Sequence, residues 1–149
     1  MRNEQGFTLI ELLLVVAIIG ILSGLAISSF GIYKSTAAYS VADVALRNAR
    51  TAAAAGLSNP DELPGAVALT SQNVQGEISL AAGRDYLPGM QIPKNLKFTF
   101  EFDPSCAGAA CQAEYLEARH CEGQEFVRWI RYGDGTEVLL DKIAGSGCP

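Results

Sequence analysis

Gly6-Phe7-Thr8-Leu9-Ile10-Glu11 runs without a break into Leu12-Leu13-Leu14-Val15-Val16-Ala17-Ile18-Ile19-Gly20-Ile21-Leu22. From Phe7 to Tyr33 the only charged side chain is Glu11. As a straight α-helix that span measures roughly 40 Å, enough to cross a bilayer. It is too long and unbroken for a secretory signal-peptide core, and no A-x-A-like cleavage site follows it. A short polar leader, Met1 to Gly6, stands in front of it instead. The chain therefore reads as a leader (residues 1–6), a hydrophobic helix (residues 7–33) and a globular head (residues 34–149).

Glu11 is the residue out of place. A carboxylate at mid-membrane depth costs on the order of 3 kcal/mol, so it requires a partner or water. One reading is a plain anchor whose Glu11 lies shallow and hydrated. A sharper one starts from a cut after Gly6, which frees an α-amine on Phe7 one helical turn from Glu11. The Glu11 of a neighbouring copy then takes up that amine and sets the axial step between subunits.

Gly6-Phe7-Thr8-Leu9-Ile10-Glu11-Leu12-Leu13 resembles the class III signal of type IV prepilins and related pseudopilins, nearly residue for residue. The resemblance implies cleavage between Gly6 and Phe7 by a membrane prepilin peptidase, N-methylation of Phe7, and an assembly role for Glu11. It implies a homopolymer of copies of this chain as the main partnership, with pilus assembly machinery in the inner membrane. The precursor would sit in that membrane and the assembled filament outside the cell. The likeness is strong from Met1 to Ala55; beyond that only the general layout matches. Most pilins of this kind carry a Pro near the position of Ser28, and its absence here removes the basis for a fixed kink.

The helix is expected to continue past Tyr33, because Ala38, Val41, Ala42, Ala45, Ala49 and Ala52 recur at helical spacing. Asp43 and Arg47, four apart, form a supporting pair. Gly56 reads as the residue just past the helix end, and Asn59-Pro60 prevents continuation, giving one helix of about fifty residues. Gly20, Gly24 and Gly31, with Ser23, Ser28 and Ser29, lower helix propensity midway and also permit close helix approach. Leu57 to Pro93 carries little signal beyond a short strand or helical turn over Val74 to Leu80. Asn95 to Asp103 alternates apolar and polar residues as a half-buried strand does. Glu114 to Cys121, Glu125 to Tyr132 and Thr136 to Asp141 read as three more strands, the last two joined by a Gly133-Asp134-Gly135 turn. The fold class is α+β: a long N-terminal helix with a four-stranded antiparallel sheet packed on its second half.

The chain has 149 residues and a formal charge of −5. An acidic balance gives no broad electrostatic reason to bind nucleic acid, and none is expected as a partner. Tyr115, Arg119, Phe126, Arg128, Trp129, Arg131 and Tyr132 interleave aromatics with cations, a pattern that also arises from ordinary packing beside paired acids. Cys106, Cys111, Cys121 and Cys148 all fall in the half expected to be exported, so two disulfides are expected. Three pairings are possible. Cys106–Cys111 with Cys121–Cys148 is favoured, because the first closes a small Gly/Ala loop and the second ties the tail to the sheet. The pilin resemblance supports only the second pair. A zinc site from Cys106, Cys111, His120 and Cys121 lacks a recognisable spacing, and His120 reads as a strand residue. Gly133 to Glu137 with Asp141 offers clustered oxygens but does not fit an EF-hand loop.

No phosphate loop or nucleophile elbow is present, and no enzymatic activity, catalytic residue, metal or cofactor is expected. The expected function is structural, a type IV pilus subunit. The alternatives are a pseudopilin of type II secretion or a minor pilin for adhesion or DNA uptake. A monomeric membrane-anchored binding protein explains the span but neither the leader nor Glu11.

Overall fold

The computed structural model describes residues 6–58, 66–72, 76–77, 80–81, 84–145 and 148. The leader residues 1–5 and Asn59-Pro60 lie outside them. Contacts divide the chain into two units, Met1–Lys34 and Ser35–Pro149. One helix, α1 (Leu9–Gly56, 48 residues), contributes to both.

In the first unit the helix is apolar on every side and its large side chains are exposed, from Leu9 at 82% to Ile32 at 70%. Its most apolar 18-residue window has a mean hydropathy of 2.7, and none of that window is buried. The Gly20 to Gly31 stretch is helical throughout, glycines included.

In the second unit α1 becomes one-sided. Ala38, Ala42, Ala45, Ala49 and Ala52 are buried, and Leu46 and Ala53 extend the same face. Val41 is only half-buried. On the wet face Arg47 Nε donates to Asp43 Oδ2 at 2.9 Å. An alanine face has little depth, so the sheet must supply the volume of the core. Leu96, Phe98, Phe100 and Phe102 do so from β6 (Leu96–Phe102), whose remaining residues face the other way. Leu116 and Ala118 add to it from β7 (Gln112–His120), and Val127 and Trp129 from β8 (Glu125–Tyr132). Cross-strand register brings Phe100 beside Leu116 and Leu116 beside Trp129. Each of these large side chains is worth about 1.5–3 kcal/mol on burial.

The sheet has five strands, one more than the sequence pattern predicts. Its antiparallel order is β1-β6-β7-β8-β9, with β9 (Glu137–Ala144) at one edge and β1 (Val67–Gln72) at the other. The added strand β1 pairs Val67 with Phe102 and Leu69 with Phe100. It hid in the sequence because only Val67 and Leu69 carry an apolar alternation, too short to stand out between Gly/Pro-rich stretches. Of the Val74 to Leu80 segment, the structure describes β2 (Gly76–Glu77) and the first residue of β3 (Leu80–Ala81). These pair with β5 (Gln91–Ile92) and β4 (Arg84–Asp85) respectively. The connecting region also feeds the core, since Tyr86, Leu87, Met90 and Ile92 are all buried in it.

Gly56 is the last helical residue of α1, so the helix runs further than its reading as the residue just past the end implies. Its lack of a side chain serves a close approach: a Cβ there would lie 2.3 Å from the carbonyl oxygen of Tyr86. The obstacle is backbone, so it cannot swing aside. Gly56→Ala should therefore destabilise the protein by about 1–3 kcal/mol, despite alanine's higher helix propensity. Thermal unfolding followed by circular dichroism checks this; an unchanged or raised midpoint would contradict it.

Candidate functional site

The helix start shows how the Gly6–Glu11 stretch is built. Gly6, Phe7 and Thr8 are non-helical, and α1 begins at Leu9. Thr8 is the cap: its backbone N–H and its Oγ1 hydroxyl donate to Glu11 Oε2 at 2.9 and 2.7 Å. Glu11 N–H donates back toward Thr8 Oγ1 at 3.4 Å. This is a reciprocal capping box, a Thr followed three residues later by a Glu. Glu11 is thus engaged within its own chain while its side chain remains exposed. A reading centred on the charge of Glu11 misses this local role, although Thr8 carried the signal.

The bond between Gly6 and Phe7 lies ahead of the helix, and Phe7 is 85% exposed. A Cβ placed on Gly6 would meet nothing within 4 Å, so the chain's own packing does not require glycine there. Residues 1–27 match the family model for the prokaryotic N-terminal methylation motif. This stretch is a class III prepilin signal. Comparison with curated proteins and with solved structures finds no match. The prepilin signal and the apolar helix behind it fit a membrane-anchored precursor of a type IV pilin-like or pseudopilin subunit.

The sheet separates the remaining sequence candidates onto two faces. Cross-strand pairing puts Tyr115, Glu117, Arg119, Phe126 and Arg128 on the face away from the α1 core. There Glu117 is nearly buried and gathers its neighbours. The Tyr115 hydroxyl donates to it at 2.7 Å, Arg128 Nη2 at 2.7 Å and Arg119 Nη2 at 3.3 Å. The Arg119 guanidinium also lies 4.0 Å above the Phe126 ring. Trp129 and Arg131 are on the opposite face, Arg131 ion-paired with buried Glu114. The alternating aromatics and cations of the sequence therefore form no single continuous strip.

The other oxygen-bearing residues are dispersed. Asp134 Oδ1 accepts the Thr136 N–H at 2.9 Å, Glu137 pairs with Arg50 at 2.8 Å, and Asp141 accepts from the Tyr39 hydroxyl. Cys106 is bonded to Cys111, and Cys121 to Cys148. These two bonds occupy the sulfurs that a zinc reading would need. The first loop packs on the β8–β9 hairpin, where Gly133 N–H donates to the Cys111 carbonyl at 2.9 Å. His120 ends β7, its Nδ1 accepting the Glu122 N–H at 3.2 Å.

The two buried carboxyls are tuned in opposite directions. Burial pushes Glu117 upward, but the Tyr115 hydroxyl and the Arg128 and Arg119 charges outweigh it and hold its pKa below the ordinary 4.5. Burial dominates at Glu114 and raises its pKa despite the Arg131 charge. A lowered folded pKa gives stability that is full above the ordinary value and lost as pH falls through the folded one. A raised one gives the opposite sign, with stability gained on acidification. Melting temperature against pH below about pH 5 should therefore decline less steeply in Glu117→Gln and more steeply in Glu114→Gln. Equal slopes in both variants would contradict this assignment.

Proposed function

We propose that the chain is the structural subunit of a type IV pilus, polymerising through α1 into an extracellular filament, and that it is not an enzyme. The observation that carries this reading is the prepilin signal at the head of a helix whose most apolar 18-residue window is wholly exposed. In the membrane, lipid solvates that surface. Outside the membrane only other copies can, and thousands of equivalent helices form the core of a filament.

The glycines support the same reading. Gly20, Gly24 and Gly31 each cost about 1 kcal/mol of helix stability relative to alanine. A Cβ at any of them would meet nothing within 4 Å, so no contact among the described residues repays that cost. Small residues four apart, as at Gly20 and Gly24, let helix backbones approach closely, which is useful between copies. Gly6 fits the same logic, its small size serving the peptidase that cuts beside it.

Cleavage exposes a Phe7 ammonium, and Glu11 of a neighbouring copy is its counter-charge. That contact is strong only when surrounding helices exclude water. The capping box separates this role from a merely local one, because glutamine at position 11 preserves the capping hydrogen bonds but carries no charge. Glu11→Gln and Glu11→Val should both insert and form their disulfides, yet yield at least tenfold fewer filaments in sheared surface fractions. Normal filaments from Glu11→Gln would reduce Glu11 to a helix cap and overturn its assembly role.

A further inference from the structure

We propose that the cleft between the second half of α1 and strands β8–β9 binds a monocarboxylate with a small apolar stem. The cleft has a volume of about 730 Å³, and Arg47, Arg50, Glu114, Trp129, Arg131 and Glu137 supply its chemistry. Trp129 is 5% exposed, and its indole Nε1–H has no acceptor among the described residues. The Nε–H of Arg131 is buried in the same condition. A buried donor without an acceptor costs about 1–3 kcal/mol, and no described residue supplies one to either of these two residues of the cleft lining.

The guanidiniums are held in place before any ligand arrives. Arg50 Nη2 bonds Glu137 Oε2 at 2.8 Å, and its guanidinium carbon sits 4.6 Å from the Trp129 ring centroid. Arg131 is fixed by its ion pair with Glu114. Arg47 is exposed at the rim, where it bonds Asp43. Arg47, Arg50 and Arg131 face Glu114 and Glu137, and Asp43 pairs with Arg47 at the rim, so the cleft is close to charge balance in a chain whose overall charge is −5. A single negative charge is the most that this balance takes. A phosphate dianion would bring a second charge against Glu114 and Glu137. The remaining walls, Ala54 and Leu57 with the indole ring, are apolar and suit a short hydrocarbon stem. A free carboxylic acid offers this chemistry, and so does an Asp or Glu side chain of a second copy.

Trp129 is the only tryptophan in the chain, so its indole N–H gives a single resonance that reports on the cleft. The full chain, labelled with nitrogen-15 in a nonionic detergent, is titrated with butyrate, with inorganic phosphate, and with sodium chloride at matched ionic strength. Butyrate should move the indole resonance downfield and saturate, while chloride and phosphate should not. Calorimetry should show butyrate binding at least fivefold more weakly to Trp129→Phe, which keeps the ring shape and loses the donor, and to Arg47→Gln. No saturable shift, a response shared by chloride, or unchanged affinity in a folded Trp129→Phe would overturn the proposal and leave the two donors to water alone. These measurements use dispersed chains, so they stand or fall independently of filament formation. Assembled material distinguishes the source. An indole already shifted there and unresponsive to butyrate identifies a neighbouring copy's carboxylate; one that still responds identifies a free acid.

Discussion

A single helix that must live in two environments governs this structure. Over residues 7–33 it offers apolar side chains in every direction, and the large ones are exposed. Beyond residue 35 it presents a shallow alanine face that only a phenylalanine-rich sheet can complete. The two demands favour different residues. Leucine, isoleucine and valine give the first part bulk in all directions, and alanine in the second lets β6 and its neighbours come near the helix axis. Propensity agrees for leucine and alanine, which rank among the strongest helix formers, and less for the β-branched isoleucine and valine. The glycines between depart from it most, and no contact among the described residues offsets their cost.

The polar groups divide in the same way. At the helix start, Thr8 and Glu11 satisfy one another locally and leave the Gly6–Phe7 bond in non-helical backbone. In the head, charge is used for fastening: Glu117 ties β7 to β8, and Arg50 to Glu137 and Tyr39 to Asp141 tie α1 to the edge strand β9. That edge strand is held to α1 largely by polar pairs, whereas β6 to β8 are held by the apolar core. The helix–sheet cleft is lined where apolar packing gives way to these pairs, and two buried donors of its lining residues have no acceptor among the described residues.

Much of the fold was legible because its signals are strongly periodic. The uncharged run from Thr8 to Tyr33 broken by Glu11, the small residues from Ala38 to Ala52, and the alternation from Leu96 to Phe102 each point to one local structure. β1 was not legible, because Val67 and Leu69 become a strand only by pairing with β6, an interaction distant in sequence. Gly56 does stand at the end of α1, but as a helical residue whose role comes from the approach of Tyr86, which no local pattern records. The capping box was legible in Thr8 and Glu11 but is easily overshadowed by the charge. The cleft was not legible, since Arg47 and Arg50 meet Trp129 and Arg131 only through tertiary packing. Sequence spacing had grouped Trp129 and Arg131 with residues of the opposite sheet face.

On the proposed function, processing at its own N-terminus delivers the apolar helix to a polymer. Intact mass spectrometry of the chain recovered from sheared surface material tests it most directly. A mature chain that begins at Phe7, bears one added methyl group on its α-amine and retains both disulfides is the predicted result. A chain still carrying Met1 to Gly6, or found only as membrane-bound monomer, would contradict it.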